Sequence, residues 1–120
     1  MHMKDILIVD DAENNLILLS DLLSEFAYHI RVANNGFEAL ELISEKKPDL
    51  LLLDIMMPEM DGFELFEKAK EQNPDIKTIF ITAKTDTRDR EKALQLGAVD
   101  FLVKPVNIME VMEKVRNILE

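Results

Sequence analysis

Apolar and polar positions along this chain fall into blocks whose period changes from one block to the next. Ile6-Leu7-Ile8-Val9 is a continuous apolar run that stops at Asp10-Asp11. Leu50-Leu51-Leu52-Leu53 likewise stops at Asp54, ahead of the turn residues Pro58 and Gly62. Short apolar runs bounded in this way read as strands buried on both faces. Ile76 to Thr82 and Ala98 to Val103 are two more, the second ending at Lys104-Pro105. Tyr28 to Ala33 alternates instead, as expected of a strand with one face less covered, at a sheet edge.

Between these runs the period is helical. Ala12 to about Ala27 carries Leu16, Leu19, Leu23 and Phe26 on one face, with Ile17 and Leu18 off that stripe. A turn at Asn34-Asn35-Gly36 leads into a second helix, Phe37 to about Glu45, with Phe37, Leu40 and Ile43 inward. Asp61-Gly62 opens a third, carrying Phe63, Phe66 and Ala69 and ended by Asn73-Pro74. Ala83 to Arg88 reads as a loop. The fourth helix follows to about Leu96, with Gly97 as a left-handed cap. It holds few large apolar residues, so it should be the least firmly packed. Val106 to Glu120 forms a fifth, with Ile108, Val111, Met112, Val115 and Leu119 inward.

Five strands alternating with five helices imply βαβ units around a parallel sheet. Right-handed crossovers then leave few arrangements. One of them is a doubly wound (βα)5 α/β sandwich of three layers, flavodoxin-like, in strand order 2-1-3-4-5. The most uniformly apolar strands (first, third and fourth) fall in its middle. No repeat or linker interrupts the pattern, so residues 1–120 read as one domain, with 1–3 taken partly as an expression scar.

The chain has 14 basic against 24 acidic residues, a formal charge of -10. That opposes direct binding to nucleic acid or an anionic membrane and suits a cation or a basic protein patch. No cysteine is present, which excludes disulfides, thiolate nucleophiles and cysteine metal sites and fits a reducing, cytoplasmic location. The first apolar run is too short for a signal peptide, and no stretch is long enough to span a bilayer. His29 reads as a surface residue.

Strand ends change the picture. In a parallel sheet Asp10, Asp11, Asp54, Thr82 and Lys104 would meet on one rim, where open α/β sheets place their sites. Carboxylates about 4 Å apart repel by roughly 4 kcal/mol at an effective dielectric near 20, so a cation is required. A partly hydrated Mg²⁺ (or Mn²⁺) is the simplest candidate, with Lys104 adding a second positive charge. Asp54 can then act as a carboxylate nucleophile forming an acyl phosphate, with the Thr82 hydroxyl hydrogen-bonding the new oxygen.

The motifs Ile6 to Asp11, Leu53-Asp54 with Met57-Pro58 and Met60-Asp61-Gly62, Ile81-Thr82-Ala83, Leu96-Gly97-Ala98, and Phe101 with Lys104-Pro105 occur in order over nearly the whole chain. Together they resemble the receiver domain of a two-component response regulator. The resemblance implies that a histidine kinase or phosphotransfer protein phosphorylates Asp54. It implies Mg²⁺ held by Asp11, Asp54 and the Met56 backbone carbonyl, with Asp10 acting through water. Thr82 and Lys104 would contact the phosphoryl group, and Lys104-Pro105 would be cis. A shift of Thr82 and an inward turn of Phe101 would remodel the face of helix 4, strand 5 and helix 5. That face would serve a downstream effector domain or protein, or a phosphorylation-dependent homodimer. Met56 and Lys84 stand where relatives vary and where acyl-phosphate lifetime is set.

Each residue also has a plain reading. Asp10-Asp11 could cap the first helix, Asp54 could be a turn residue, Lys104 a solvated lysine and Phe101 core. Coincidence of acid, hydroxyl and lysine on one rim favours the chemical reading. A hydrolase with an Asp nucleophile would want Asp-x-Asp on the first strand, and a flavin carrier a Gly/Ser/Thr-rich phosphate loop. A phosphorylation-independent pseudo-receiver, acting only by docking, is the stronger rival. Ile17 and Leu18, with Asn14, Asn15 and Pro105, are expected to form an apolar patch that docks the kinase's helical hairpin.

Overall fold

The computed structural model describes residues 3–83 and 87–120. The elements are β1 (Asp5–Val9), α1 (Glu13–Ser24), β2 (His29–Ala33), α2 (Gly36–Glu45), β3 (Leu50–Leu53), α3 (Gly62–Gln72), β4 (Thr78–Thr82), α4 (Thr87–Gln95), β5 (Asp100–Val103) and α5 (Ile108–Leu119). The five strands form one parallel sheet in the order β2-β1-β3-β4-β5. This is the doubly wound arrangement that the strand–helix alternation predicts. Lys84 lies outside the described residues, as does His2.

Strand side chains alternate between two cores. Leu7, Val9, Leu51, Leu53 and Phe80 pack on one face of the sheet, with α2, α3 and Ala93 of α4. Ile6, Ile8, Leu50, Leu52 and Ile79 pack on the other, with α1 and α5. All four residues of β3 are buried, at about 1.5–3 kcal/mol for each leucine side chain removed from water. Edge strand β2 leaves Val32 exposed.

Three residues expected inward are not. Phe26, Phe37 and Ile108 are 48%, 55% and 53% exposed. Phe26 lies beyond the end of α1, where Ala27 turns into the left-handed region at φ 61. Phe37 and Ile108 occupy the first turns of their helices, outside the buried residues of each. The contact stripe of α2 is instead Gly36, Ala39 and Ile43. Small residues let that helix approach: a Cβ on Gly36 would sit 2.6 Å from the Met60 sulfur. α4 starts at Thr87, so Thr87 and Arg88 are helical rather than part of a loop. Ala93 is its only buried residue. Gly97, at φ 106, closes it as expected, with the Ala98 N–H donating to the Ala93 carbonyl at 3.0 Å.

The amino-terminal edge of the sheet carries a polar clamp that the sequence did not announce. Asp5 is fully buried. Its carboxylate accepts from Arg31 Nε at 2.9 Å, Arg31 Nη2 at 2.8 Å and His29 Nδ1 at 2.8 Å. His29 is 56% exposed through its side chain, so it is a surface residue with one buried contact. Arg31 also donates to the carbonyls of Leu42 and Lys46. This fixes β1 against β2 and α2 at the pole opposite the acidic rim.

Candidate functional site

The rim is positioned by ladder bonds that run one residue past each strand. The Asp10 N–H donates to Ala33 O at 3.2 Å, Asp54 N–H to Val9 O at 3.0 Å and Lys104 N–H to Thr82 O at 2.7 Å. Residues far apart in sequence are thus pinned to neighbouring strands. Asp10, Asp54 and Thr82 are buried, and Asp11 is exposed. One carboxylate oxygen from each of Asp10, Asp11 and Asp54 lies within 4.8 Å of the others.

Lys104 joins the two buried acids. Its ammonium donates to Asp10 Oδ2 at 2.7 Å and to Asp54 Oδ2 at 3.3 Å. The other Asp10 oxygen accepts from the Ala12 N–H at 2.9 Å. Ala12 itself is the α1 cap residue and makes no side-chain capping bond. The Asp pair therefore does not cap the first helix. The Met56 N–H donates to Asp54 Oδ1 at 3.3 Å, and the Met56 side chain is 57% exposed beside it.

One ammonium shared by two buried carboxylates, and closer to Asp10 than to Asp54, leaves Asp54 under-compensated. Burial raises the Asp54 carboxyl above its ordinary value and the Asp10 charge raises it further; Lys104 and the Met56 N–H only partly offset this. For Lys104 burial acts downward, but the bond to Asp10 and the charge of Asp54 outweigh it, and the ammonium is stabilised. The hard-oxygen donor set and this residual negative charge fit a divalent cation such as Mg²⁺.

Gly62 lets the β3–α3 loop close over this cluster. A Cβ there would lie 2.3 Å from the Asp54 carbonyl oxygen and 2.8 Å from the Ile55 Cα. The Gly62 N–H instead donates to Ile55 O at 2.8 Å. Asp61 caps α3 through the Glu64 N–H at 2.9 Å. The Lys104–Pro105 peptide bond is cis. Phe101, expected to turn inward, already has its ring buried, 6.5 Å from that of Phe80.

Ile17 and Leu18 are both exposed, at 52% and 56%, and line different grooves. Leu18 lines a groove of about 420 Å³ with Asn15, Ala83, Lys104 and Pro105. Ile17 lines a different groove, with Leu16 and Val32. Asn14 is exposed and lines neither. Among the described residues, no helix is long and apolar enough to cross a membrane.

Comparison with known proteins agrees with this geometry. Residues 6–116 match the family described as the response regulator receiver domain. The alkaline phosphatase synthesis transcriptional regulatory protein PhoP of Bacillus subtilis is 38% identical over 116 residues, 97% of this chain and 48% of PhoP. The transcriptional regulatory protein ZraR of Klebsiella oxytoca is 43% identical over 103 residues, 86% of this chain and 23% of ZraR. The chain thus spans between about a quarter and a half of these relatives. Among solved structures, a CheY-like receiver domain protein from Methanospirillum hungatei superposes with a TM-score of 0.92 at 34% identity, covering 97% of this chain and 93% of that one. The response regulator TrrA of Thermotoga maritima, solved in complex with Mg²⁺ and BeF, superposes at 0.88 with 38% identity, covering 98% and 100%. With a family match across nearly its whole length and an acid–lysine rim on the expected sheet, the chain belongs to the receiver domains of two-component response regulators.

Proposed function

We propose that this receiver domain accepts a phosphoryl group on Asp54 from a histidine kinase or histidine phosphotransfer protein. The observation that carries the proposal is the cluster of three carboxylates within 4.8 Å, served among the described residues by the single ammonium of Lys104. Asp10, Asp11, Asp54 and the Met56 carbonyl would hold Mg²⁺, with Asp10 acting through water. The ion supplies charge neutralisation at the phosphoryl oxygens. The Asp54 oxygen attacks the phosphorus of the partner's phosphohistidine. A P–O bond forms, the P–N bond breaks, and the imidazole leaves with the electron pair and takes up a proton. Lys104 is placed to follow the charge from Asp54 to the new phosphoryl group while keeping its bond to Asp10. Thr82, buried at the end of β4, is the hydroxyl assigned to that group.

The output face is α4, β5 and α5. There Leu94, Val103 and Met109 are 44%, 40% and 77% exposed, which supports effector docking or a phosphorylation-dependent homodimer. The kinase is assigned to the groove of Leu18 and Pro105 rather than to Ile17.

Mass spectrometry tests the reaction. One phosphoryl group should be incorporated with Mg²⁺ from acetyl phosphate or a kinase, and none in Asp54→Ala. No incorporation from any donor would leave a phosphorylation-independent docking module as the better reading. Leu18→Asp should slow transfer from the protein donor at least severalfold and leave acetyl phosphate unaffected; equal slowing from both donors would remove the docking assignment.

A further inference from the structure

The groove that holds Ile17 lies on the side of α1 away from Pro105 and has a volume of about 480 Å³. Its floor is apolar, made by Leu16 and Ile17 of α1 and Val32 of β2. Ile17 and Val32 are 52% and 42% exposed, so two branched side chains from different elements face water across one cleft. Covering such a surface is favourable in proportion to its apolar area.

The rim selects the occupant. Asp11, Glu13, Asp21 and Glu38 surround the floor, and among the described residues no Lys or Arg lines it. Arg31 of the same strand is bound to Asp5 and to two backbone carbonyls near the end of α2, so it does not neutralise the rim. A second copy of this chain would bring a net charge of -10 to an acidic cleft, and nucleic acid or an anionic membrane would be repelled as well. The complementary shape is a helix with an apolar stripe flanked by Lys or Arg.

We infer that the α1–β2 groove docks a basic amphipathic helix of a partner protein. The site is separate from the Leu18–Pro105 groove and does not depend on phosphoryl transfer. Its strength comes from apolar burial on Ile17 and Val32, and its selectivity from Glu13, Asp21 and Glu38, with Asp11 adding to them only while no cation is held at the rim.

The probe is a synthetic amphipathic peptide with a Leu stripe and flanking Lys residues, titrated into the full ¹⁵N-labelled chain in EDTA so that Asp11 stays uncompensated. A peptide of the same stripe with Glu in place of Lys and the simple polycation spermine are the comparisons. The Lys peptide should shift the amide signals of Ile17, Ser20, Val32 and Asn34, and added salt should weaken it. Asp21→Lys and Ile17→Ser should each weaken binding about fivefold. The control Glu67→Lys, on an exposed position of α3, should leave it unchanged. Retained amide spectra establish that each variant is folded. Equal weakening by Glu67→Lys, equal shifts from spermine, equal binding of the Glu peptide, or shifts centred on Leu18 and Pro105 would each overturn the inference.

Discussion

Replacing Asp54 by Asn should stabilise this protein in the absence of metal. The rim carboxylate oxygens lie within 4.8 Å of one another. At an effective dielectric near 20, each neighbouring charge costs Asp54 at least about 3.5 kcal/mol. Lys104 at 3.3 Å returns about 5 kcal/mol. Asp11 is exposed and water screens its share, so a net repulsion of about 1–2 kcal/mol remains for Asn to relieve. Lys104 keeps its 2.7 Å bond to Asp10 after the change, and an Asn oxygen can still accept from Met56. Urea denaturation in EDTA at neutral pH should therefore show a midpoint about 0.5–1 M higher for Asp54→Asn. Acid removes the advantage. The folded-state value of Asp54 is raised, so the wild-type penalty is absent below the unfolded value of about 3.9 and grows as pH rises through the folded value. Saturating Mg²⁺ should narrow or reverse the gap, because binding stabilises the wild type by mass action. A variant less stable than wild type in EDTA, or a gap that is the same at neutral pH and near pH 4, would refute the reasoning.

Two further predictions concern other parts of the sheet. Burial pushes the Asp5 carboxyl up, but the hydrogen bonds from Arg31 and His29, with the charges of Arg31 and Lys46, more than reverse it and hold it below its ordinary value. Asp5→Asn should thus cost about 3 kcal/mol in urea denaturation at neutral pH, and the difference should shrink as acid protonates the wild-type carboxylate below about pH 4. Tyr28 is the only tyrosine and there is no tryptophan, so its ionisation can be followed by ultraviolet absorbance. Burial, then its hydrogen bond to Glu120 and that residue's charge, push the phenol up to about 12, with Arg116 acting weakly downward. The folded chain should not form tyrosinate until about that pH, and stability should fall as pH climbs from about 10 toward it. Ionisation near 10 in the folded state would contradict the Tyr28–Glu120 contact.

The strands were legible because β1, β3 and β4 are buried on both faces and each ends at a residue with distinctive chemistry. The same break from apolar to charged marked Asp10, Asp54 and Lys104, and the strand order implied that they meet. Helix faces were read less well. Phe26, Phe37 and Ile108 drew the predicted stripes toward the largest side chains, whereas the close approach of α2 uses Gly36 and Ala39. Volume at a helix end does not ensure contact: Phe37 and Ile108 stand in first turns and Phe26 past a last turn, and all three are exposed. The Asp5 clamp was invisible because a buried carboxylate depends on partners 24 and 26 residues away. The separation of Ile17 from Leu18 was equally hidden. Adjacent helical positions point about 100° apart, and only the neighbours decide which groove each one enters.

The contact between Lys104 and Asp10 spans 94 residues. Closing a loop of that length costs on the order of 4 kcal/mol in chain entropy before any contact returns it. The amino-terminal strands can pair during synthesis while the acids of β1 and β3 still lack their lysine. Until residue 104 is made, the Lys104 ammonium is missing from the three carboxylates of the rim. A chain that stops short of β5 and Lys104 lacks the ammonium that Asp10 and Asp54 share. The rim is thus complete only in a chain made through Lys104, because the strand order brings the end of β5 back to the acid that follows β1.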